Sequence, residues 1–181
     1  MDSQTPPTDD APTLTDAPID DCQIVTHHFE QEWLIANRIG AYASSTSEGC
    51  NTRRYHGLLV AATQPPVGRL VALSSVVEQV AIADNTYDLA TNEFDDAFSP
   101  EGYKQFLRSD HGTIPTFTFR AGEGELTKEV LLAESANAVA IRYTWHGPAC
   151  RLQLRPLVAL RNFHHTRRAE AHSQMTFHTV E

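Results

Sequence analysis

From Asn51 to Gly57 the chain reads Asn-Thr-Arg-Arg-Tyr-His-Gly and runs directly into the apolar segment Leu58-Leu59-Val60-Ala61-Ala62. Amide, guanidinium, phenol and imidazole groups in a row are hydrogen-bonding chemistry, and burying them costs free energy unless each is paired. The run is therefore either a site or a buried polar brace beside one. On a strand, Asn51, Arg53 and Tyr55 would share one face and Thr52, Arg54 and His56 the other. The two arginines would then not meet one ligand together. From Gly49 to Val77 there is no Asp or Glu, although Arg53, Arg54 and Arg69 all lie there. The partners of these cations must come from distant sequence, a ligand or another domain. For a neutral polyhydroxylated ligand, guanidinium and amide groups supply forked hydrogen bonds, and the rings of Trp33, Tyr42 and Tyr55 stack on apolar sugar faces.

Other chemistry is poorly supported. The histidines are scattered, adjacent ones such as His164-His165 point apart on a strand, and no ligand spacing with carboxylates appears. No metal or other cofactor is implied. Acid/base work on a glycosidic bond needs two carboxyl groups facing each other some 5–10 Å apart. Glu32, Glu78, Asp95, Asp96 and Glu101 are available, but no spacing selects a pair, and Asp95-Asp96 reads as a solvated loop. The serine-nucleophile, dinucleotide and P-loop signatures are all missing. Arginine far outnumbers lysine, yet the arginines are dispersed and form no basic stripe with interleaved aromatics, which argues against nucleic acid as a partner.

The positioning elements read as strands. With 181 residues, 41% hydrophobic and 20% charged, the chain suits one globular domain with a real core. Residues 1–21 carry six aspartates, four prolines and no Lys or Arg, and so supply −6 of the net −9. Such a segment buries too little apolar surface to fold and is expected to be a disordered acidic tail ahead of a domain spanning 22–181. It lacks the features of a secretory or transit signal, and no apolar run approaches the roughly 18 residues that span a bilayer. Three widely spaced cysteines argue against a disulfide framework, and a cytoplasmic location is expected.

Period-two patterning predicts strands near Gln23–Phe29, Glu32–Ala36, His56–Ala62, Leu70–Ser75, Val77–Ala83 and Tyr87–Asn92. Further ones are predicted at Thr116–Arg120, Leu126–Ala133, Ala138–Trp145 and Arg151–Val158, with a short one at Met175–Val180. Gly122–Val158 reads as an antiparallel meander with Val139, Ile141, Tyr143 and Trp145 on one face and Leu152 and Leu154 facing in. Pro100–Ser109 reads as helical or irregular. The expected fold is all-β, an antiparallel β-sandwich. The abrupt end after Ser173–Glu181 fits either a natural edge strand or a boundary inside a longer polypeptide.

The chain resembles the N-terminal domain of bacterial and archaeal-type glycogen debranching enzymes, the amylo-α-1,6-glucosidase family, from about Phe29 to His164. The resemblance rests on Glu32-Trp33-Leu34, Asn37, Gly40, Tyr42-Ala43-Ser44, Thr46, Gly49 and above all Asn51-Thr52-Arg53-Arg54-Tyr55-His56-Gly57-Leu58-Leu59. Pro100-Glu101-Gly102-Tyr103, Pro115-Thr116-Phe117, Lys128-Glu129 and Leu154-Arg155-Pro156 follow in the family's order, with Arg161 and His164. The resemblance implies a galactose-mutarotase-like supersandwich ahead of an (α/α)6 barrel. In the family that barrel carries the carboxylates that hydrolyse α-1,6 branch points, while the sandwich packs on it and helps to hold the glucan. The expected role is a substrate-binding, barrel-supporting domain that is non-catalytic alone, because the chain ends before a barrel begins. Trp33, Tyr42 and Tyr55 are expected to stack, and Asn51, Arg53, Arg54 and His56 to make polar contacts to glucan or barrel. A scaffold serving only the interdomain contact, or a free-standing carbohydrate-binding module, is the competing reading. The chain departs from the family at Arg38, Ala41 and Ser45, where glycine is favoured; glycine permits φ > 0 and close backbone approach, so the departures bear on the turn geometry after Trp33 and on any ligand approach there. It departs also at Ser99, where the family favours His, and at Asn162, where it favours Asp.

Overall fold

A computed structural model describes residues 29–64, 67–95 and 97–166. The acidic segment 1–21 and the predicted strand Met175–Val180 lie outside the described residues, as does Gln23–Phe29 apart from Phe29, which sits in a turn. The fold is all-β and antiparallel. One sheet takes β1 (Glu32–Ala36), β2 (Tyr42–Thr46), β3 (Gly57–Gln64), β4 (Gly68–Ile82) and β12 (Arg151–Asn162) in that order, with β5 (Asn85–Asp88) also paired to β4. A second sheet orders β11 (Val139–His146), β10 (Gly124–Leu132), β9 (Thr116–Ala121) and β8 (Phe106–Asp110). A separate ribbon pairs β6 (Thr91–Phe94) with β7 (Ala97–Glu101).

The two sheets are held by side chains that alternate into the space between them. On β10, Gly124, Leu126, Lys128 and Val130 are buried while the residues between them are half-exposed. Leu126 and Val130 meet Val76 and Val80 of β4, Trp33 of β1 and Phe117 and Phe119 of β9 in one apolar cluster. Each such fully buried aliphatic side chain stabilises the fold by about 1.5–3 kcal/mol relative to its exposed state. The bulky Trp33 is accommodated because its register partner on β2 is Ser45.

Several sequence expectations are corrected. Leu70–Ser75 and Val77–Ala83 are one fifteen-residue strand, β4. Tyr87–Asn92 is two strands, β5 and β6, split at Leu89-Ala90. Of Pro100–Ser109, only Gly102–Gln105 is helical, a single 3-10 turn, and Phe106 begins β8. The meander breaks after β11: β12 leaves for the other sheet and pairs with β4 from Arg151↔Ala81 to Asn162↔Leu70. That places Leu152 against the core, as expected, but leaves Leu154 43% exposed at an edge that the four-stranded sheet does not cover. Arg38, Ala41 and Ser45 do not strain the backbone. The left-handed positions of that stretch fall on Gly40 (φ 86) and Gly49 (φ 76), where a missing Cβ permits them.

Candidate functional site

Asn51–His56 is a turn between β2 and β3, not a strand, so its side chains do not alternate between two sheet faces. The turn is tied down at its start. Thr46 Oγ1 bonds the backbone of Cys50, Gly49 N–H donates to the Thr46 carbonyl, and Asn51 bridges two strands. Asn51 Nδ2 donates to the Ser74 carbonyl at 3.0 Å and its Oδ1 accepts from Ser45 Oγ at 2.8 Å. Asn51 is thus a brace, with both ends of its amide engaged inside the protein.

Glu32 at the start of β1 lies beside two residues of the turn, Arg53 and His56. Its carboxylate takes the Arg53 guanidinium and lies 3.5 Å from His56 Nε2. His56 is 2% exposed, and neither ring nitrogen has a hydrogen-bond partner among the described residues. Burial lowers its pKa, Glu32 opposes that shift and Arg53 reinforces it. The imidazole is therefore neutral at pH 7. Arg53 finds its partner in distant sequence, as the absence of local acids requires.

Arg54 and Tyr55 face the end of β12. The Arg54 guanidinium stacks 4.9 Å over the Tyr55 ring and donates from Nη1 to the His164 carbonyl. Arg161 donates from Nη2 to the Arg54 carbonyl at 2.6 Å and from Nη1 to the His165 carbonyl at 2.8 Å. Phe163 meets the Tyr55 ring edge-on at 5.4 Å, His164 packs on Phe163 at 4.0 Å, and Arg69 lies 5.7 Å over the Phe163 ring. Tyr42 donates its hydroxyl to the Tyr55 carbonyl at 2.9 Å. Burial raises the Tyr42 pKa, and the nearby Arg69 and Arg161 oppose that rise. One surface cluster therefore joins Tyr42, Arg54, Tyr55, Arg161, Phe163 and His164.

Trp33 does not join it. The indole is 4% exposed, donates Nε1–H to the Thr46 carbonyl at 3.1 Å and packs on Phe117, leaving no face for a sugar. Arg161 and His164 carried part of the family resemblance, but their meeting with Arg54 joins residues more than a hundred apart, which a linear pattern does not display.

Glu78 and Glu48 line a narrow cleft between the sheets with Asn51, Ser74, Thr91 and Lys128. Glu78 accepts from Lys128 Nζ at 2.6 Å and from the Tyr143 hydroxyl at 2.7 Å, so its charge is answered internally. Burial pushes Glu48 up to about 7. The cleft holds about 20 Å³ of free space, room for roughly one water and far too little for a sugar ring. No group of three or more His, Cys, Asp or Glu that could hold a metal occurs among the described residues, and no helix there is long and apolar enough to cross a membrane.

Fold and site together define an antiparallel β-sandwich whose exposed polar and aromatic chemistry gathers at the β2–β3 turn and the end of β12. The profile described as "Glycogen debranching enzyme N terminal" matches residues 31–180, and the chain belongs to that family. Neither the curated proteins nor the solved structures contain a match to it.

Proposed function

We propose that the chain serves as the glucan-holding N-terminal domain of a glycogen debranching enzyme. In this reading it contributes no catalytic group of its own and works beside a glucosidase barrel that hydrolyses α-1,6 branch points. The observation that carries the reading is the Arg54–Tyr55–Phe163–His164 surface. Half-buried aromatic rings beside an exposed guanidinium suit a polyhydroxylated ligand, whose apolar faces pack on rings and whose hydroxyls accept from planar donors. The Glu78 carboxylate of the narrow cleft, answered by Lys128 and Tyr143, supports the non-catalytic part.

Tyr55 and Arg54 are the residues assigned to glucan, with Tyr42 and Arg161 holding them in place. Asn51 and His56 are assigned to bracing, and Arg53 to the Glu32 pair. Titration calorimetry with a branched maltooligosaccharide tests the reading. Tyr55→Ala should weaken binding about fivefold, the equivalent of about 1 kcal/mol of lost ring contact. Absence of any heat from the unsubstituted chain sinks it.

The interdomain reading has its own supporting observation: Asn51 engages both ends of its amide, and Arg161 both its Nη groups, within the protein, as a brace for a docked domain would. It requires that Tyr55→Ala leave glucan affinity unchanged and instead weaken association with the barrel.

A further inference from the structure

Among the described residues, Arg38, Arg53, Lys104, Arg108, Arg120, Lys128 and Arg142 each have an Asp or Glu oxygen within ion-pair distance. Arg54 and Arg161 are different. Every hydrogen bond they donate among the described residues goes to a neutral backbone carbonyl, of Arg54, Asn162, His164 or His165. The Nε and Nη2 donors of Arg54, and Nε of Arg161, meet no protein acceptor there. Arg161 is half-buried, and the loss of solvent lowers its pKa, with the Tyr42 phenol as the nearest opposing influence. Arg69 brings a third guanidinium to the same place, its Nε held by the Gly40 carbonyl at 2.9 Å.

Two guanidinium groups with no carboxylate paired to them among the described residues concentrate positive potential, and planar N–H forks match the oxygens of an oxyanion. Carboxylate partners are not brought by this segment of the chain, because no acid occurs from Gly49 to Val77. The half-buried rings of Tyr55 and Phe163 beside these cations add an apolar edge for a sugar. A free inorganic anion uses the cations but has no use for the rings.

We infer that the Arg54–Arg161 cluster is an oxyanion seat whose ligand is a phosphate monoester carried on a glucose unit of the glucan. The inference rests on the glucan-holding reading above and narrows its substrate class. In it, the phosphate takes the outward donors of Arg54 and the Nε of Arg161, while the sugar ring lies toward Tyr55 and Phe163. The contact is charge-assisted, so it strengthens at low ionic strength and fades as salt screens the exposed guanidinium.

The test uses the full chain in titration calorimetry with three probes: a plain maltooligosaccharide, the same oligosaccharide bearing a 6-phosphate, and inorganic phosphate. The expected result is at least tenfold tighter binding of the phosphorylated sugar than of the plain one, with the preference lost at 0.5 M salt. Arg54→Gln should abolish the preference while lowering plain-glucan affinity by a much smaller factor, and Arg54→Lys should restore part of the preference. Circular dichroism and a thermal melt establish that both variants are folded. Equal affinity for plain and phosphorylated sugar overturns the oxyanion seat while the glucan-holding reading stands. Inorganic phosphate binding as tightly as the phosphorylated sugar overturns the glucan-borne source. If neither sugar binds, both readings fall together.

Discussion

Arg161 donates from Nη2 to the Arg54 carbonyl at 2.6 Å, and Arg54 returns a weaker bond from Nη1 to the His164 carbonyl at 3.4 Å. Each arginine thus holds the backbone of the other's segment, and the β2–β3 turn is clasped to the end of β12. The two bonds are unequal. Arg161 is half-buried and also holds the His165 carbonyl, whereas Arg54 is exposed and its bond is long.

The inequality sets the expected cost of breaking the clasp. Arg161→Ala should destabilise the fold by about 2 kcal/mol, the scale of a charge-assisted hydrogen bond. Arg161→Lys should recover only part of this, because one ammonium does not reproduce the fork that spans two carbonyls. Arg54→Ala should cost well under 1 kcal/mol. Urea denaturation of the three variants measures the order directly, and equal losses at the two positions would contradict the geometry.

Glu48 makes stability depend on pH in a defined sense. Its residue is 2% exposed, and burial raises the carboxyl from 4.5 to about 7 against hydrogen bonds from Thr46 and its own backbone. Between those values the folded chain holds a proton that the unfolded chain has released. Stability from this group is therefore fully present below pH 4.5 and is lost as pH rises through about 7. Glu48→Gln removes the dependence. The variant should match the parent at pH 4 and exceed it at pH 8 by up to ~3 kcal/mol. His56 acts in the opposite sense, since its lowered pKa costs stability as pH falls below 6.5. Comparing the variant with its parent at each pH cancels that contribution. A difference that stays flat from pH 4.5 to 8 would show that Glu48 ionises normally.

Trp33 offers a sharper contrast between sequence and structure. An indole beside a polar motif reads as a stacking platform, yet here it fills the space between the sheets and caps the Thr46 carbonyl. Trp33→Phe should cost about 1–3 kcal/mol through the lost hydrogen bond and a smaller ring. Glucan affinity in the same variant should be unchanged. A selective loss of affinity with stability preserved would return Trp33 to the binding surface.

The legible part of this fold was the part with clean alternation. Glu32–Ala36, the β10–β11 hairpin and the inward row Val139, Ile141, Tyr143 and Trp145 follow from period-two patterning, and the structure packs that row of four against the core. Tyr42–Thr46 was invisible as a strand because Ala, Ser, Ser and Thr carry little hydrophobic signal. β2 lies between β1 and β3, with Ser45 as the register partner of Trp33. Phe106–Asp110 was obscured because it is an edge strand with Leu107 pointing to solvent. The motif was legible as polar chemistry needing distant partners. That Glu32 would answer Arg53, and that the end of β12 would receive Arg54, depends on topology, which pairwise patterning along the chain does not encode.

The buried Glu78–Lys128 pair locks the two sheets in register, and its energetics are lopsided. Lys128 sits on the inward row of β10, Glu78 on β4 and Tyr143 on β11, so one carboxylate oxygen of β4 draws donors from two strands of the other sheet. Burial raises the Tyr143 pKa, and the charge of Glu78 adds to that rise, so the phenol stays a donor throughout the working range. Taking two charges out of water offsets most of their attraction, but removing one partner leaves the other uncompensated in the core. Lys128→Met should therefore cost about 3–5 kcal/mol, whereas Glu78→Leu with Lys128→Met and Tyr143→Phe should be near neutral or stabilising. Chemical denaturation of the single and triple variants decides it. A triple variant less stable than Lys128→Met alone would mean that the pair contributes net attraction beyond its desolvation.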